Sequence, residues 1–193
     1  MLLARTRVLT AVLLFGTSVD ASTAGAQLIG HGGAVRALAV SEDGATAFSG
    51  SFDASAIRWS LDLGIAEQVM QSHDNAVNAV AILKDGRAVT GGADARIAIW
   101  APGSTGPETI LEGHTGPIAA LAVSPDGTML ASASWDRTVR QWPLAGGAPA
   151  VFEGHLQNVN AVAFAPDGKS LVSAGYDATV RLWPLSGQSA PAI

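Results

Sequence analysis

A chain of 193 residues ordinarily makes one domain, and 48% hydrophobic content with only 6% aromatics asks for a core of Ala, Val, Leu and Ile. The lack of any cysteine excludes disulfides, thiolate metal sites, a cysteine nucleophile and a covalently attached c-type haem within these residues. A net charge of −5 without a basic stripe argues against nucleic acid or an anionic membrane as partner.

Residues 1–26 read as a secretory signal peptide rather than as part of the fold. Arg5 and Arg7 form a basic start, Val8 to Phe15 is mostly apolar, and Ala24-Gly25-Ala26 offers a small-residue cleavage site. The apolar stretch is too short to span a bilayer. Removing the leader brings the net charge to −6, because Arg5, Arg7 and Asp20 leave with it. The expected location is therefore the periplasm of a Gram-negative bacterium or the exterior of the cell, after cleavage near Ala26, with no membrane segment in the mature chain.

From residue 28 onward the chain repeats every 41 or 42 residues, in units of about 28–71, 72–112, 113–153 and 154–193. Each unit opens at a histidine: His31, His73, His114 and His155. A first alternating run follows at Val35–Val40, Val77–Ile82, Ile118–Val123 and Val159–Phe164. Then comes Asp-Gly, at Asp43-Gly44, Asp85-Gly86, Asp126-Gly127 and Asp167-Gly168, a strong hairpin signal because Gly accepts positive φ. The second strand is predicted over Thr46–Gly50, Ala88–Gly92, Met129–Ala133 and Ser170–Ala174, before a turn at Asp53, Asp94, Asp136 and Asp177. The third ends in Trp59, Trp100, Trp142 and Trp183, and a more variable fourth includes Gln68–Gln71 and Thr109–Glu112. Unit two is one residue shorter between its Asp-Gly and its turn Asp, which predicts a tighter second hairpin there. Each unit is a four-stranded antiparallel meander, and such units at this period are propeller blades.

The sequence resembles the WD-repeat β-propeller family, in the run from Gly113-His114 to Asp126-Gly127 and in Ser134-Trp135-Asp136-Arg137-Thr138-Val139-Arg140-Gln141-Trp142. One departure recurs: the Asp that usually follows the Trp is replaced by Ser60, Ala101, Pro143 and Pro184. The fold expected is an all-β propeller of four blades with four antiparallel strands each, an open arc of a larger ring.

His31, Ser49 and Asp53 taken alone could be a base, a nucleophile and an orienting acid. The same constellation recurs in all four units, with Thr90, Ser132 and Ser173 in the hydroxyl position, whereas catalysis needs one special environment. The resemblance implies instead a structural hydrogen-bond chain in each blade, from indole to hydroxyl to imidazole to carboxylate. The histidines, one to a blade, are too far apart to share a cation, and no phosphate loop or dinucleotide fingerprint is present. The chain is thus expected to be no enzyme and to need no cofactor or metal.

Following the family, the partner-facing positions are the third and fifth residues after each His and the residue before each turn Asp. These include Arg36, Asn78, Asn158 and Asn160, with Phe52, Trp135 and Tyr176 as three of only 11 aromatics. Such residues suit a protein-binding hot spot, and equally suit covering a neighbouring blade. The function expected is an exported scaffold for a protein or peptide partner.

By the same period the next His falls due near position 196, and Ser189–Ile193 resembles Gly147–Val151, which leads into His155. The chain is accordingly read as the first part of a longer product. Two copies closing an eight-blade ring, or an arc standing alone, are the other arrangements. Exported bacterial WD-repeat proteins of this type are similar to those carrying a C-terminal cytochrome c module, so the propeller portion of a periplasmic redox or hydrolytic protein is the alternative function.

Overall fold

The computed structural model describes residues 27–185, and these form fifteen β-strands and no helix. The leader and the outer strand expected near the chain end lie outside the described residues. Blade one comprises β1 (Val35–Val40), β2 (Thr46–Ser51), β3 (Ser55–Ser60) and β4 (Ile65–Gln71). Blade two comprises β5 (Val77–Ile82), β6 (Ala88–Gly92), β7 (Ile97–Trp100) and β8 (Thr109–Leu111). Blade three comprises β9 (Ile118–Val123), β10 (Met129–Ser134), β11 (Thr138–Pro143) and β12 (Ala150–Glu153). Blade four shows β13 (Val159–Phe164), β14 (Ser170–Gly175) and β15 (Val180–Pro184). Every sheet is an antiparallel meander in chain order, the architecture of a propeller arc.

Two turns per blade set this course. At the Asp-Gly turns, Gly44, Gly86, Gly127 and Gly168 all have φ between 69° and 84°, and each N–H closes on the carbonyl three residues earlier. At the second turn the Asp side chain accepts the backbone N–H two residues on, from Ser55, Arg96, Thr138 and Thr179. That closure forces the residue between into the left-handed region, although it is Ala54, Ala95, Arg137 or Ala178 rather than glycine.

The missing residue of unit two lies in the first hairpin, not the second. Gly50 pairs with Ala56 and Gly91 with Ile97, so the second hairpins are equal in length. Val40 pairs with Ala47, whereas Ile82 pairs with Ala88 after one residue fewer. The reason is local. In blade one Ser41 spans the longer loop, its N–H bonding the Thr46 carbonyl and its hydroxyl bonding Asp43. In blade two buried Leu83 stands there, its N–H bonds the nearer Arg87 carbonyl, and the Arg87 side chain takes Asp85 instead.

Every first strand carries a bulge at its start. Val35 pairs with Ser51 but Ala37 with Gly50, leaving Arg36 unpaired, and the same shift leaves out Asn78, Ala119 and Asn160. A bulge turns its extra residue away from the ladder, which frees these four side chains to project from the edge of the sheet.

Neighbouring blades pack through these first strands, β1 beside β5, β5 beside β9 and β9 beside β13. The larger side chains of each first strand face the preceding blade. Val80 and Ile82 pack with Phe48, Ala56 and Met70 of blade one, and Leu121 and Val123 with Val89, Ile97 and Ile99 of blade two. Each junction has a β-branched knob over a small residue. A Cβ at Gly50 would meet Val77 at 2.7 Å, and one at Gly91 would meet Ile118 at 2.6 Å. Ala133 and Val159 occupy the corresponding places between blades three and four, both fully buried. Polar struts add to the first two junctions and, through Trp135, to the third: the Gln68 amide bonds Ser104 and Gly103, the Asn78 amide donates to the Ile118 carbonyl, and the Trp135 indole donates to Asn160.

Candidate functional site

The sixteen residues of the repeated constellation come together blade by blade. Each indole N–H donates to a hydroxyl: Trp59 to Ser49 at 2.7 Å, Trp100 to Thr90 at 3.0 Å, Trp142 to Ser132 and Trp183 to Ser173 at 2.8 Å. Those hydroxyls lie 2.7–2.8 Å from Nε2 of His31, His73, His114 and His155. Nδ1 of the same rings lies 2.6–3.0 Å from Asp53, Asp94, Asp136 and Asp177. An ionised carboxylate only accepts, so the ring hydrogen facing it sits on Nδ1, and Nε2 is left to accept from the hydroxyl, whose other lone-pair side takes the indole N–H.

Each carboxylate also receives the backbone N–H of the residue after its His: Gly32, Asp74, Thr115 or Leu156. Ser55, Thr138 and Thr179 add hydroxyl donors, and Arg96 takes this place in blade two. Burial pushes these four carboxyls up, but the hydrogen bonds outweigh it and hold all four below the ordinary carboxylate range.

The four imidazoles are at most 5% exposed, and in blade one His31, Ser49 and Trp59 also line an open cleft of about 510 Å³. Each hydroxyl also accepts an indole N–H. The arrangement gives buried polar groups their partners. Ser60, Ala101, Pro143 and Pro184 follow the tryptophans without disturbing it, since the indole bonds are made in all four blades.

The second group of residues shares one edge of the sheets. In every blade the residue before the turn Asp donates its backbone N–H to the third residue after the His: Phe52 to Ala34, Ala93 to Ala76, Trp135 to Pro117 and Tyr176 to Asn158. The bulged Arg36, Asn78, Ala119 and Asn160 stand two residues further along the first strands. Phe52, Trp135 and Tyr176 are exposed, as are Arg36 and Asn160, while Asn78 and Asn158 are half-buried. The Arg36 guanidinium lies 4.9 Å from the centre of the Phe52 ring. Trp135 also ties two blades together. Its indole donates to the Asn160 amide oxygen of the next blade at 3.2 Å, so part of its surface covers the neighbouring blade.

Two contributors to this edge escape sequence reasoning. Leu156, which bonds the turn Asp177 beside Tyr176, is an exposed apolar side chain where the other blades have Gly32, Asp74 and Thr115. Its signal is an apolar residue at an otherwise small or polar repeat position. Blade two, with Ala93 in place of an aromatic, presents an ion pair between Arg96 and Asp74. Among the described residues no cluster of His, Asp or Glu has the geometry to hold a metal ion.

The model of the WD domain, G-beta repeat, matches the chain four times, over residues 23–60, 65–101, 106–143 and 147–184. No curated protein matches it. Each matched stretch ends at the strand bearing the repeat's Trp and includes the His, hydroxyl and Asp to which that Trp is linked. With most of its length covered by four such matches, the chain belongs to the WD40 family of G-beta repeat proteins.

Proposed function

We propose that this chain is an exported, non-catalytic scaffold that holds a protein or peptide partner on the edge bearing Arg36, Phe52, Asn78, Trp135, Asn158, Asn160 and Tyr176. WD repeats are of the protein-interaction type, which supports the class of function. The observation that carries the site is the coincidence, along one edge, of four bulged residues with three exposed aromatics. Aromatic and Arg anchors on a rigid sheet edge provide contact area at small entropic cost. The buried constellation serves this by fixing the turns from which the anchors project.

The experiment is capture of partners from the exported fraction by the parent chain and by the double variant Phe52→Ala, Tyr176→Ala. Among the described residues those two rings make no side-chain hydrogen bond, so the circular dichroism spectrum should be unchanged while capture falls by tenfold or more. Capture equal to the parent's overturns the site. Export is tested separately by N-terminal sequencing of the secreted product, expected to begin at Gln27. A product that keeps residues 1–26 and stays inside the cell overturns that part.

A further inference from the structure

At the Asp-Gly turns the three blade junctions present one recurring place with three different contents. At the second junction Lys84 leaves its turn in blade two and reaches across to blade three. Its stem lies over Gly127, where a Cβ would meet three of its carbons at 2.9, 3.2 and 3.5 Å, and its ammonium donates to the Pro125 carbonyl. At the third junction the residue in the place of Lys84 is Pro125, whose ring would stand 4.0 Å from a Cβ at Gly168. At the first junction that residue is Glu42. There, beyond the chain neighbours of Gly86, no described atom lies within 4 Å of where its Cβ would be. An open cleft of about 300 Å³ runs between the two turns, walled by Val40, Ile82 and Leu83 and rimmed by Ser41, Glu42 and Asp43.

We propose that this cleft is a slot for a lysine side chain of a partner protein, seated there as Lys84 seats itself one junction further on. The chain supplies the pattern: a stem across the turn glycine and an ammonium on the carbonyl of the following turn. In the first junction the stem crosses Gly86 beside Val40, Ile82 and Leu83, and the Lys84 carbonyl stands in the place of the Pro125 carbonyl. Glu42 cannot fill the slot as Lys84 does, because a carboxylate has no hydrogen to donate to that carbonyl. Charge favours the same occupant. Glu42 and Asp43 bring two carboxylates to the rim, and Glu42 makes no ion pair among the described residues. The Ser41 hydroxyl and the Ala45 N–H hold the Asp43 carboxyl below the ordinary range, which keeps it ionised. The Lys84 ammonium is turned to the second junction. A lysine satisfies both parts of the slot, its methylenes covering apolar surface and its ammonium making charge-assisted hydrogen bonds. The slot lies at the opposite end of β2 from the aromatic edge, so it is a second contact surface and does not rest on the first.

The test is titration of the full chain with N-acetyl-lysine methylamide, followed by the backbone amide resonances. A saturable shift is expected at Lys84, Asp85 and Gly86, with millimolar affinity. Two controls divide the probe: its norleucine counterpart has the stem without the charge, and methylammonium has the charge without the stem. Each should bind about tenfold more weakly than the probe. Glu42→Lys should rebuild the Lys84 arrangement, so that the Gly86 amide of this variant stands near its probe-saturated position and the probe no longer moves it. Glu42 is exposed, so the variant should keep the parent's circular dichroism spectrum. No saturable shift in the parent, an equal response to either control, or an undiminished response in Glu42→Lys would each overturn the proposal. Tighter binding of free n-butylammonium than of the probe would assign the slot to a small amine and overturn the partner reading. The readout is local to these turns, so its failure is separate from any failure of partner capture at the aromatic edge.

Discussion

Strands β1 and β5 are nearly one sequence, Val-Arg-Ala-Leu-Ala-Val against Val-Asn-Ala-Val-Ala-Ile, and they sit in very different surroundings. In β5 alternate residues are buried, with Val77, Ala79 and Ala81 covered by blades one and three. In β1 Val35, Leu38 and Val40 remain exposed. The same contrast separates β7, buried throughout, from β15, where Val180 and Leu182 are exposed. A blade's pattern therefore specifies which face is apolar, while the neighbour decides how much that face stabilises. Stability in such an array is held largely in the junctions, which contribute once for each adjacent pair.

The sharpest test of this contrast truncates the same knob in both settings. Ile118→Ala, which empties a filled junction above Gly91, should cost about 2–5 kcal/mol. Val35→Ala, at a knob with no blade packed on it among the described residues, should cost no more than about 0.5 kcal/mol. Urea midpoints give both values, and equal costs would show that the junctions are not where the energy lies.

A smaller difference is expected in the acid response. Asp136 is 6% exposed in an interior blade and Asp53 is 20% exposed in the first. Both carboxyls are held below the ordinary value of 3.8, so each adds stability that is complete above its unfolded pKa and is lost as the pH falls toward its folded pKa. Asp136→Asn should destabilise the chain by about 1–3 kcal/mol at pH 7 and should lose less than the parent between pH 5 and pH 3. Asp53→Asn should do the same to a lesser degree. Urea titrations across that range decide it: an acid dependence as steep as the parent's in both variants would detach these carboxylates from folding.

The smallest effect should ignore the contrast altogether. Ala54 and Ala95 hold left-handed backbone, with φ of 65° and 67°, inside their own blades. Replacing either by Gly removes a Cβ clash and should stabilise by about 0.5–1 kcal/mol, equally in blade one and blade two. Thermal unfolding of the two variants measures it. Unequal gains would mean that the neighbour reaches even into the turns.

Much of the blade is legible in the sequence because its determinants are local and repeated four times. First strands such as Val77–Ile82 stand where their alternation puts them, and the Asp-Gly turns follow from the freedom of Gly44 and its counterparts at positive φ. What escapes depends on pairing across strands. Nothing in the run around Arg36 marks it as the extra residue of a bulge, because a bulge exists only relative to Ser51 and Gly50 opposite. A count along one strand says nothing of register, and for that reason it puts the shortening of unit two in the wrong hairpin. At the aromatic edge the residue types are readable, but the bond from Trp135 to Asn160 crosses between blades and has no trace within one repeat.

The matched repeats and the blades are out of step by one strand. The stretch 65–101 begins with β4, which completes the sheet of blade one, and ends with β7 of blade two. The stretch 106–143 likewise opens with β8, the outermost strand of blade two. The matched stretch is thus not the segment that folds as one sheet. Each matched stretch lends its predecessor's sheet an edge strand and takes one from its successor. Excising residues 65–101 would therefore leave no tidy gap. It would remove the outer strand of one sheet along with three strands of the next, and β8 would become the outer strand available to blade one. Removing one matched stretch leaves the sheets supplied with an edge strand, whereas a cut at a blade boundary divides a matched stretch.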